Sequence, residues 1–139
     1  MNARMLGSIV GISFILNLVW ENAQAPLYAG YVSFTQHFLL CLRATIGDVF
    51  IVLVMYAALA LVTRDKWWIQ HLNRNTISAT IIMGIGLALV IEGWALSTGR
   101  WDYNGMPLIL GLGVGILPML QLAILPLMTF YITTRVVRK

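Results

Sequence analysis

Charge is what this sequence has least of. Only 10% of its 139 residues are Asp, Glu, Lys or Arg, against 60% hydrophobic, and the mean hydropathy is +0.85. A soluble domain carries roughly 25% charged residues, so a soluble globular fold is excluded and an integral membrane protein is indicated. Cysteine is almost missing as well. Cys41 stands alone, which excludes an intramolecular disulfide and any cysteine-based metal cluster. Neither an H-x-x-x-H nor an E-x-x-H pair occurs, and Asp48 with Glu92 alone would make a poor cage, so no metal site is expected. The chain has no glycine-rich phosphate loop and no Ser-His-Asp arrangement that the sequence supports, and it identifies no cofactor. Repeats, low-complexity runs and domain linkers are absent too.

What is present is a set of apolar runs separated by short polar stretches. They predict an all-α, integral membrane four-helix bundle with short loops. The whole chain, 1–139, forms one transmembrane domain with spans at about 5–23, 38–62, 76–97 and 107–133. The first run also has the look of a signal peptide, with Arg4 before it and Ala23-Gln24-Ala25 as a cleavage site. Pro26 in the first position after the cut disfavours cleavage, and a retained span is expected. Within it, Gly7 and Gly11 form a G-x-x-x-G pair that permits close helix approach. Residues 21–37 form a surface segment with an interfacial character from Tyr28, Tyr31 and Phe34. Trp67 and Trp68 are expected at headgroup depth. Pro118 and Pro126 are expected to bend the fourth helix, and the glycines at 111, 113 and 115 read as packing residues within that span.

The basic residues set the orientation. Arg4, Arg64, Lys66, Arg74, Arg135, Arg138 and Lys139 fall on one side, and only Arg43 and Arg100 on the other. The positive-inside rule then puts both termini in the cytoplasm of a cell with a bacterial type of inner membrane. The same asymmetry accounts for the pI of 9.6 through topology and attraction to anionic lipid. Nucleic acid is not an expected partner.

Four of the five acids, Glu21, Asp48, Glu92 and Asp102, lie toward the opposite, outer side. At 1.5 Å per residue, Asn17 and Glu21 stand about 20–25 Å up their helix, Asp48 about 22 Å, Glu92 about 24 Å and Gln121 about 20 Å. Each helix thus supplies a polar group to one layer. Ser13, Asn17 and Glu21 share a helix face by spacing, as do His37, Cys41, Thr45 and Asp48. Charges facing lipid are costly, so these stripes should face inward and mark a site. The candidate acid/base residues are Glu92, Asp48 and Glu21, with Asn17, Arg100, Trp101, Tyr103 and Gln121 as binding residues. Structural readings stand beside these: Glu92 paired with Arg100 or simply neutral, Arg43 snorkelling or paired with Glu21, the histidines at the interface, and the aromatics as a membrane belt. A further expectation is that Arg100 lies close to Glu92 or Asp102 and that Glu92 and Asp48 face each other across one pocket.

The stretch Gly99-Arg100-Trp101-Asp102-Tyr103-Asn104, followed by Gly111 and Leu117-Pro118, resembles the small membrane lycopene cyclase domain of carotenoid synthesis. The resemblance covers residues 99–126. It implies a helical membrane fold, an isoprenoid or carotenoid ligand, and protonation of a polyene end group by a carboxylic acid. Met119 and Leu120 stand where that family has paired acids. The nearest polar residue, Gln121, has an amide that cannot donate a proton as an acid does, so cyclase activity does not carry over with the motif. Glu92 or Asp48 would have to supply the acid. Two functions follow. One is an accessory subunit of a larger membrane complex, holding lipids and other membrane subunits or copies of itself as partners. The other is a lipid- or isoprenoid-processing enzyme of cyclase or isomerase type that uses a buried carboxyl.

Overall fold

A computed structural model describes residues 3–138 of the chain. Lys139, counted above among the basic residues, lies outside the described residues. The four helices are α1 (Ala3–Gln24), α2 (Phe34–Thr63), α3 (Arg74–Ser97) and α4 (Ile116–Val137). Each is long and apolar enough to cross a membrane, and together they make an all-α, integral membrane four-helix bundle.

Local chemistry explains where the helices start and stop. Pro26 has no N–H to continue α1, and the chain tightens into a 3-10 turn over Ala25–Leu27. The Ser33 side chain accepts the Gln36 N–H to open α2, and Arg64, in a left-handed conformation (φ 53°), closes it. Asn73 and Thr76 form a reciprocal capping box at the start of α3. The second span is longer than expected, and the fourth begins at Ile116 rather than at 107. Two features keep residues 107–115 out of the helix. Gly111 and Gly113 adopt positive φ angles of 82° and 66°, and Leu108 bridges Gly115 as in a hairpin. Gly111 and Gly113 are therefore turn residues, whereas Gly115 is closely packed against Met106, Pro118 and Tyr103. Pro118 sits in the first turn of α4, where its missing N–H costs nothing, so only Pro126 interrupts the helix interior.

Extensive packing joins α3 to α4, α4 to α1 and α1 to α2, while α2 and α3 touch much less. The main apolar cluster lies at the end of the bundle that holds the loop at 64–73. Met5, Ile9, Val52, Tyr56, Leu59, Trp68, Ile69 and Phe130 are buried there. Trp68, in the loop at the helix ends, does not face outward as a belt residue would. It is buried against Phe130 (ring centroids 5.1 Å apart) and Tyr56 (6.1 Å), with its indole N–H donating to the Tyr56 carbonyl at 3.2 Å. Arg4 donates to the Val136 carbonyl at 3.4 Å and Arg138 to the Gln70 carbonyl, so the two ends of the described chain and the 64–73 loop share one face. Gly7 and Gly11 have open space where a Cβ would stand, so their pair makes no close helix approach within the chain.

Candidate functional site

The opposite half of the bundle is polar inside. Ser13, Asn17 and Gln24 of α1, Thr45 of α2, Glu92 of α3 and Gln121 of α4 are buried, and Glu21 and Asp48 are half-buried. Gln121 is the centre of this layer. Its Nε2 donates to Glu21 Oε1 at 2.8 Å, to Asp48 Oδ2 at 2.9 Å and to Asn17 Oδ1 at 3.1 Å. Gln24 Nε2 donates to the same Glu21 oxygen and to Gln121 Oε1, each at 2.9 Å. Asn17 is held in turn by its own Nδ2, which donates to the Ser13 carbonyl at 2.9 Å. Three helices thus meet through amides on two neighbouring carboxyl groups. Two amide hydrogens on Gln121 serve three acceptors, so the arrangement has room for one more proton.

Glu92 occupies a second compartment of the same layer. Its Oε2 receives the Trp101 indole N–H at 3.1 Å and the Tyr103 hydroxyl. The Tyr103 oxygen also accepts the Gly115 N–H at 3.0 Å, which ties the start of α4 to the carboxyl on α3. Burial, and then the hydrogen bond to Glu92, raise the Tyr103 hydroxyl above its ordinary pKa, against the opposing Gly115 bond. Tyr103 therefore holds its proton at neutral pH and remains a donor. Among the described residues Glu92 Oε1 has no hydrogen-bond partner.

The two compartments are roofed by chain segments that pair with each other. Ala29 N–H donates to the Asp102 carbonyl at 2.9 Å and Asn104 N–H to the Leu27 carbonyl at 2.8 Å, so Tyr28 and Tyr103 form an antiparallel bridge. The Tyr28 ring lies 6.4 Å from Trp101, edge-on, and 5.6 Å from Tyr103. Burial first, then the charges of Glu92, Glu21, Tyr103 and Asp48, push the Tyr28 hydroxyl far up. Tyr28 therefore lies in the field of all three carboxyls. Beside this roof an open cleft of about 630 Å³ is lined by Leu96, Gly99, Trp101, Asp102, Tyr103, Leu108 and Gly113.

The structure brings together Asn17, Glu21, Asp48 and Gln121, and separately Glu92, Trp101 and Tyr103. It joins Asp48 and Glu92 by no hydrogen bond: Asp48 shares the Gln121 amide with Glu21, and Glu92 is held by Trp101 and Tyr103. Arg100 is not part of the site. Its guanidinium lies over the exposed Trp94 ring at 4.8 Å, because the last turn of α3 points Trp94 outward toward it. Among the described residues no Lys or Arg forms an ion pair with Glu21, Asp48, Glu92 or Asp102, and the one pair present joins His71 and Asp65. This leaves Arg100 with an exposed cation–π contact worth about 0.5–1 kcal/mol. Arg100→Ala is expected to lower thermal stability in detergent no more than Arg138→Ala does. A markedly larger loss would show that Arg100 serves the carboxyl layer.

Two residues of the site escaped the reading of the sequence. Gln24 follows Asn17 and Glu21 at helical spacing and belongs on their face, but Ala23 and Ala25 made it look like part of a cleavage site. Tyr28 carries no signal of its own, since only the folding together of two distant loops places it. Among the described residues no three His, Cys, Asp or Glu side chains converge as for a metal ion. Comparison with protein-family models, with curated proteins and with solved structures gives no match.

Proposed function

We propose that the chain is an integral membrane enzyme that performs acid/base chemistry on an apolar lipid, of isoprenoid or similar class. The observation that carries this reading is the gathering of three carboxyls from three helices in one layer under an aromatic roof, with no paired base among the described residues. A bolt between helices needs only amides and hydroxyls, and acids without a base add a desolvation cost that neutral acceptors of the same hydrogen bonds would avoid. In the proposed reaction Glu92 is the acid. Trp101 and Tyr103 fix one carboxyl oxygen and leave the other without a protein donor. The resemblance to the lycopene cyclase domain supports this reading at one point: the turn that carries it supplies both donors to Glu92.

The test is Glu92→Gln, which preserves shape and hydrogen-bonding but carries no acid proton. Turnover of the lipid found by mass spectrometry in extracts of the purified protein is expected to fall by about 10²–10⁴-fold with the fold intact. Unchanged turnover in Glu92→Gln would overturn the assignment. An accessory-subunit reading remains beside it, favoured by Gly7 and Gly11, which lie open on the outer surface of α1 as sites for another helix. Larger subunits co-purifying in place of a stoichiometric lipid, and a host activity that Glu92→Gln leaves unchanged, would favour it.

We further place the chain in a bacterial inner membrane with the basic end, and so both termini, in the cytoplasm. The support is that Arg4, Arg64, Lys66, Arg74, Arg135 and Arg138 belong to the helix ends and loop on one face of the bundle. With Cys41 replaced by serine, a cysteine at position 102 is expected to react with a membrane-impermeant thiol reagent from outside the cell. Reaction from the cytoplasmic side alone reverses the orientation.

A further inference from the structure

The hairpin 107–115 is apolar and points outward. Leu110 is 98% exposed, Leu112 60% and Leu108 46%, and no charged residue occurs anywhere from Tyr103 to Thr134. α4 has 22 residues without this segment, about 33 Å of helix, which is enough to span a bilayer core. The hairpin is thus surplus to the crossing and sits at its edge. Its level is marked by its neighbours. Leu108 and Gly113 line the cleft together with Leu96 and Gly99 at the end of α3. That is where Arg100 lies over the exposed Trp94, a pairing of the kind found at the headgroup boundary.

Such a segment can enter the hydrocarbon only where its backbone is satisfied, and elsewhere it needs the water of the headgroup border. Its stem is paired. Ile109 N–H donates to the Val114 carbonyl at 2.9 Å, Leu112 N–H to Ile109 at 3.1 Å and Ile116 N–H to Pro107 at 2.8 Å. The Gly115 N–H is taken by Tyr103, and Pro107 has none. The exposed apolar surface also continues without a charge onto Ile116, Leu120 and Ile124 of α4.

We propose that residues 107–115 seat in the border between headgroups and acyl chains of the leaflet at this end of the bundle, with Leu110 and Leu112 in the acyl region. The cleft they flank then opens to lipid instead of to water, and Trp101 and Tyr103 form the wall between that lipid-fed vestibule and Glu92. The function of the vestibule rests on the enzyme reading above, whereas the seating of the hairpin does not.

The experiment places an environment-sensitive NBD label at position 110 through Leu110→Cys, in full-length protein with Cys41→Ser, reconstituted in phosphatidylcholine/phosphatidylglycerol vesicles. Leu112→Cys is the second site, and Asn104→Cys, at an exposed polar position, is the aqueous control. The labels at 110 and 112 are expected to emit further to the blue than that at 104. They should lose emission to phosphatidylcholine carrying a nitroxide high on its acyl chain, and resist iodide in the water. Quenching by iodide equal to that at 104, with no effect of the lipid nitroxide, overturns the proposal. So does efficient crosslinking of two copies through position 110, which would make the hairpin a contact between chains. The labels report position and not turnover, so water at position 110 together with an inactive Glu92→Gln would remove the hairpin proposal and leave the acid/base reading standing.

Discussion

Gly84→Leu is expected to prevent α3 and α4 from packing and to leave little folded protein in detergent. A Cβ on residue 84 would stand 1.9 Å from the Leu122 carbonyl oxygen and 2.6 Å from its carbon. Both atoms are backbone, so no rotamer change relieves the clash, and the helices have to separate along the most extensive helix pairing in the bundle. Even Gly84→Ala should cost about 3 kcal/mol, at the upper end of overpacking losses. The approach has a cause in the sequence of α4. Pro126 has no N–H, so the Leu122 carbonyl four residues earlier lacks its helical donor, and a glycine on the facing helix lets the backbone come up against it. The control is Gly86→Ala, which meets open space and should be neutral or stabilising by about 0.5–1 kcal/mol, since alanine is the better helix former. Thermal unfolding of the three proteins in one detergent decides it: equal midpoints for Gly84→Ala and Gly86→Ala would contradict the close approach.

Gln121→Leu is expected to have the next largest effect. It removes the donor shared by Glu21, Asp48 and Asn17, together with the acceptor of Gln24, and puts a hydrocarbon against two carboxyls. Leaving polar partners stranded in a buried network costs more than the network contributes when whole. By comparison with broken buried ion pairs the loss should be about 3 kcal/mol. Asn22→Leu is the comparison, because that amide donates only to the Leu18 carbonyl of its own helix, at 2.8 Å, and its loss should be small. Unfolding in detergent should separate the two variants clearly. If Gln121→Leu were as stable as Asn22→Leu, the junction of α1, α2 and α4 would not depend on this amide.

Composition and hydropathy alone determined that the chain is a helical membrane protein with four spans, because crossing a bilayer leaves the backbone few choices and requires long apolar runs. They also determined that Asn17, Glu21, Asp48, Glu92 and Gln121 fall at one level, since helical rise converts residue number into depth. The helical spacing of Ser13, Asn17 and Glu21 was enough to orient that stripe inward. Which polar groups touch within the layer was decided by tertiary structure only. Depth is a property of one helix, but the pairing of Glu21 with Asp48 on Gln121 depends on how α1, α2 and α4 rotate against one another. The roof over Glu92 has the same origin, because Tyr28 and Tyr103 meet through loops far apart in the chain. The late start of α4 depended on Gly111 and Gly113 taking positive φ, which an apolar run does not reveal. Arg100 lies over Trp94 and not beside Glu92 for a similar reason: the sequence puts a cation near a carboxylate, but the turn after Ser97 decides which way each one faces.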